Sequence, residues 1–142
     1  MHVLPRHLAT AARLLVGFTF LVFGLNGFIH FMAPPPVPAT AGMFLGALGA
    51  ARYVFPLLCG VELVAAVLLL SNRFVPLALV LLAPLVVNIA AFHLWLAPPS
   101  APGFLVLLGE LYLAWEYRAA FSCLFHARAQ PASHAGTQAL PS

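Results

Sequence analysis

Six side chains in this sequence can hydrogen-bond a ligand or carry a proton inside otherwise apolar stretches: Asn26, His30, Glu62, Asn88, His93 and Glu110. Carboxyl and imidazole groups beside an apolar cavity suit proton transfer to and from a bound molecule, and amides suit orienting it. Glu62 and Glu110 are therefore the candidate catalytic residues, and Asn26, His30, Asn88 and His93 the candidate ligand-binding set. Asn26 and His30 lie in "FGLNGFIHF" (23–31), four residues apart, a spacing that places both on one helix face. Gly24 and Gly27 beside them leave room for a neighbouring helix or a ligand to come close. The competing reading is structural, because polar groups between apolar helices also act as hydrogen-bonding glue that fixes helix register. No metal site is expected. Asn26 and His30 form the only close helical pair, and asparagine is a poor zinc ligand. Axial ligation of a haem by His30 and His93 is conceivable on spacing and ranks below a quinone as the cofactor.

The elements that must position these groups follow from composition. Of 142 residues, 63% are hydrophobic and 6% charged, and the mean hydropathy is +1.04. A soluble domain carries about 25% charged residues to cover its surface, so the expected solvent here is lipid. There is no Lys and no Asp; six Arg and three Glu make up the charges. The arginines are scattered and form no basic patch, which excludes a nucleic-acid partner despite a pI of 9.4.

Four apolar runs, at 11–31, 53–70, 74–96 and 103–121, each approach the ~20 residues that carry a helix across ~30 Å of hydrocarbon. "APPPVPAT", "SNR" and "APPSAPG" separate them. The expected fold is all-α, an antiparallel bundle of four transmembrane helices forming one domain over residues 1–126, with a cytoplasmic tail over 127–142. The segment "AGMFLGALGA" (41–50) is predicted as a short helix at the membrane face. With the N-terminus inside, Arg6, Arg13, Arg73, Arg118 and Arg128 fall on the cytoplasmic side and only Arg52 outside, as the positive-inside rule asks. Both termini are thus predicted cytoplasmic. The first apolar run exceeds a signal-peptide core and is expected to remain as a helix. Cys59 and Cys123 fall near opposite faces of the bilayer, too far apart for a disulfide, and are expected to act as small buried apolar groups.

Counting inward from the outer edge at ~1.5 Å per residue puts Glu110 at ~10 Å, Asn88 at ~12 Å and Glu62 at ~13 Å. On the same count Asn26 lies at ~8 Å, His93 at ~5 Å and His30 at ~2 Å. The expectation is one polar layer in the outer half of the bundle, open outward. An ionisable side chain at such a depth costs ~2.5 kcal/mol or more, so the glutamates are functional candidates by default. Tyr112 and Glu116 stand one helical turn apart and are expected to bond to each other.

Three stretches resemble the DoxX-like family of small four-helix bacterial membrane proteins: "RLLVGFTFLVFGLNGFIHF" (13–31), "CGVELVAAVLLL" (59–70) and "LLAPLVVNIAAFHLWLAPPS" (81–100). The resemblance extends to about Phe121 and places Asn26, Glu62, Asn88 and His93 on motif positions. Family members often carry lysine where this chain has Gly27. The resemblance implies a bacterial inner-membrane protein associated with quinone-linked redox chemistry, as a homo-oligomer or beside a redox partner subunit. The alternatives are a non-catalytic assembly or scaffold protein, and an oligomeric small-molecule or ion transporter. No phosphate-binding glycine loop, C-x-x-C or C-x-x-C-H is present.

Overall fold

The computed structural model describes residues 3–98 and 101–125. Within these residues the protein is all-α, with five α-helices and no strand. The helices are α1 (Val3–Ile29), α2 (Ala39–Ala50), α3 (Val54–Leu70), α4 (Val75–Trp95) and α5 (Ala101–Glu116), followed by a 3-10 segment, Arg118–Phe125. The tail expected over 127–142 lies outside the described residues, as does the side chain of Cys123.

The α1, α3, α4 and α5 helices pack in a ring, each touching two neighbours. Their directions alternate. Gly17 of α1 lies against Leu69 and Leu70, and Gly24 against Cys59 and Leu63, so α1 and α3 run antiparallel. Gly17 and Gly24 are seven apart and fall on one face, and a Cβ on either would crowd α3. Gly109 does the same for α5, whose backbone closes onto the Val16 side chain. The core between the helices is apolar, built on Val16, Phe20, Ala66, Leu69, Leu82 and Leu113.

Helix ends are closed by specific groups. Asn72 takes a left-handed conformation after α3 (φ 56°), and the N–H groups of Asn72 and Arg73 donate to the carbonyls of Leu69 and Leu68. This is a Schellman stop with asparagine at the left-handed position. The buried Arg13 side chain reaches the same end of α3 from α1, donating to the carbonyls of Leu69 and Leu70. A cation there also complements the negative end of the helix dipole.

The outer surfaces of the helices stay apolar. Phe18, Phe28, Val67, Leu77, Leu94 and Leu108 are all more than half exposed, and a water-facing helix would carry polar groups at such positions. Trp95 and Tyr53 stand exposed at one end of the ring, and Trp115 at the other, where the Arg118 guanidinium sits 4.7 Å above its ring. Aromatic girdles at two levels are a mark of membrane interfaces. Two helices, Arg6–Ile29 and Val75–Trp95, are long and apolar enough to cross a bilayer. The count is three if α2 and α3, which meet at 90°, form one broken span.

The span boundaries therefore need correction. The first helix ends at Ile29 and the fourth apolar run at Glu116, short of the expected 31 and 121. Past Glu116 the chain tightens into 3-10 geometry, leaving α5 with 16 residues, or ~24 Å. The segment expected as a short helix at 41–50 is helical from Ala39, and its right-angle junction with α3 lays it across the bundle.

Candidate functional site

Between the four ring helices lies a cavity of about 340 Å³. Thr19, Phe20 and Phe23 of α1, Glu62 of α3, Ile89 and His93 of α4, and Pro102, Gly103 and Val106 of α5 form its wall. Pro35, from the connection after α1, closes it on one side. The volume falls within the ~300–1,000 Å³ usual for small-molecule sites. A second cavity of about 420 Å³ lies between α2, α3 and α4, under Phe44, Leu45 and Leu48. Glu62, Ile89 and His93 line both.

The histidine is held in one tautomer. Its Nδ1 lies 2.8 Å from the carbonyl of Ile89, one turn earlier on α4. A carbonyl only accepts, so Nδ1 carries the hydrogen and a neutral ring keeps its lone pair on Nε2. Edge-on packing against Phe92, with centroids 5.4 Å apart, fixes the ring further. Glu62 is half-buried one helix away, and no described residue bonds to its carboxyl. The cavity thus combines apolar walls with one acceptor nitrogen and one carboxyl. On its far side the Thr19 hydroxyl donates to the Leu15 carbonyl at 2.8 Å, leaving its oxygen free to accept.

The remaining candidates are placed elsewhere. Asn26 does not share a helix face with His30, because His30 stands past the end of α1 with a left-handed backbone (φ 52°) and is exposed. Asn26 itself closes the helix. Its backbone carbonyl accepts from the His30 N–H at 2.8 Å, and its Oδ1 accepts from the Met32 N–H at 2.7 Å. A pocket face made by the two is replaced by a helix stop. Nor does the α1 end bring His30 into a cavity with His93. Asn88 is exposed on the α2 side of α4 and lines the second cavity, not the first.

Glu110 is 6% exposed, and its Oε1 has no hydrogen-bond partner among the described residues. It lines a separate cavity of about 200 Å³ between α4 and α5, among Leu79, Ala83, Val86, Leu107 and Phe121. The α4 residues around Glu110 precede those around Glu62 by about one and a half turns, roughly 8 Å along the axis. Glu62 and Asn88 line one cavity and Glu110 another, so the three do not share a pocket. Counting depth took all helices to start at one level, whereas α3 begins at a right-angle bend from α2.

Sequence reasoning missed Thr19, Pro35 and the Phe20–Phe23 wall. Thr19 was the available signal, as the only hydroxyl inside an otherwise apolar stretch of α1 between Val16 and Phe23. Tyr112 does reach Glu116, as its spacing suggested. No group of three or more potential metal ligands occurs among the described residues. Comparison with protein-family profiles, with curated proteins and with solved structures gives no match.

Proposed function

We propose that this chain is a small integral membrane protein of DoxX type that binds a quinone within its helix ring and serves membrane redox chemistry as a subunit. The carrying observation is the fixed tautomer of His93, whose acceptor Nε2 shares an apolar cavity with the Glu62 carboxyl. A quinol presents two hydroxyl groups on an apolar ring. Nε2 accepts a hydrogen bond from one of them, and Glu62 exchanges a proton with the other. Oxidation of the quinol releases two electrons and two protons. The electrons pass to a redox centre of a partner subunit, and Nε2 of His93 and the Glu62 carboxylate each take up one proton. The four ring helices then span the bacterial inner membrane, with both termini cytoplasmic.

The test is purification in mild detergent, followed by extraction and chromatography of bound lipids. Quinone in near-stoichiometric amount is expected from the unaltered protein and not from Glu62→Gln. Equal, trace amounts from both would overturn the assignment.

A scaffold reading has its own support in α1, where Asn26 serves chain reversal and the glycines serve helix packing. It leaves the Glu62–His93 cavity without a role.

A further inference from the structure

We propose that the ligand of the inner cavity carries a long apolar tail, and that this tail leaves the ring sideways through the cavity beneath α2. The inference rests on the quinone reading and adds to it the class of quinone and its path.

The two cavities adjoin at the same three residues, Glu62, Ile89 and His93, so a molecule against this polar pair lies beside both. The inner cavity is about 340 Å³, with Phe20, Phe23, Pro35 and Pro102 in its wall. It accommodates a ring and little more. The outer one is larger, about 420 Å³, and α2 lines it with Phe44, Leu45 and Leu48, while α3 adds Phe55 and Leu58. Apart from Asn88 and the shared Glu62 and His93, its wall is apolar. A polar molecule gains nothing there, whereas each buried methylene contributes about 0.8 kcal/mol.

Two features of the backbone keep the outer cavity open. Pro84 lies inside α4 at its wall, where it has no N–H to bond the preceding turn. The α2 helix meets α3 at 90° and rests on α4 through Phe44, whose ring lies 6.1 Å from that of Phe92. A helix laid across the groove roofs it without filling it. The outer surface of α2 is itself apolar, with Met43 69% exposed, so the roof faces lipid and the groove beneath it opens towards acyl chains. A tailed quinone can therefore enter laterally, headgroup first, past Ile89.

The experiment measures binding of two probes to the protein in lipid nanodiscs of one composition: a decyl-tailed benzoquinone, and the same ring carrying only a methyl group. Leu48→Trp fills the outer cavity from α2, and Leu58→Trp fills it from α3, so that one variant suffices if the other misfolds. Comparison with the unaltered protein at constant lipid cancels partitioning of the tail. The expected result is a loss of about tenfold or more in affinity for the tailed probe, with the methyl probe within about twofold of its original affinity. Unchanged affinity for both probes in a folded variant overturns the tail path. Equal loss of both also overturns it, since the cavities then do not act separately. If neither probe binds the unaltered protein, the quinone reading falls first and the tail path falls with it.

Discussion

The sulfur of Cys59 occupies the space that a side chain on Gly27 would need. Gly27 lies near the end of α1 and Cys59 one turn into α3, and the two fit only as a pair. Gly27→Ala is expected to destabilise the protein by about 1–3 kcal/mol, the usual cost of overpacking. Cys59→Ala should recover part of that loss, giving a coupling of at least about 0.5 kcal/mol in a double-mutant cycle read from unfolding in detergent. Additive effects would mean that the helices part freely here.

Arg13 is expected to be the most stabilising charged residue of α1. Its guanidinium serves the carbonyls of Leu69 and Leu70 while buried, and hydrogen bonds to charged groups contribute about 1.5–3 kcal/mol. Arg13→Leu should cost a comparable amount, and Arg13→Lys less, since a single ammonium retains one contact and the charge. Thermal unfolding of the two variants side by side checks the order.

For His93 the tautomer sets the outcome. Leucine removes the acceptor, so His93→Leu should abolish quinone binding while the fold survives. Glutamine can place its amide oxygen close to the position of Nε2, and His93→Gln should keep a measurable fraction of the affinity. Equal loss in both variants would assign the histidine a role in protonation rather than in accepting a hydrogen bond.

Glu110 gives a prediction of opposite sign. Its Oε1 is buried without a partner among the described residues, a defect that typically costs about 1–3 kcal/mol. Glu110→Leu should raise the unfolding temperature and leave quinone binding intact, because the residue does not line the inner cavity. Loss of binding would return Glu110 to the functional site.

Membrane topology is tested by reporter fusions at the C-terminus and within "PPPVP". Activity of a cytoplasmic reporter at the C-terminus, and of an exported one in the proline segment, is the expected pair. The reverse would overturn the arginine count.

The helices were legible because apolar runs and proline clusters bound them, and α3 and α4 begin and end within a residue of their expected limits. The site was legible in part. Glu62 and His93 were marked as polar groups in apolar runs, and they do share a cavity. Asn26 and Asn88 carry the same mark for other reasons: one terminates a helix, and the other faces outward beneath α2. Composition cannot separate these cases, since an amide serves a backbone as readily as a ligand. The 90° turn between α2 and α3, made at Arg52 with a left-handed backbone, left no periodic signal.

The partners of Arg13 also set an order of events during synthesis. Its acceptors, Leu69 and Leu70, follow it by 56 and 57 residues, so α1 leaves the ribosome well before they exist. At about 5–20 residues per second, several seconds pass between the two. Throughout that interval the guanidinium is without the partners it has in the fold, so this contact between α1 and α3 can close only after the end of α3 has been made.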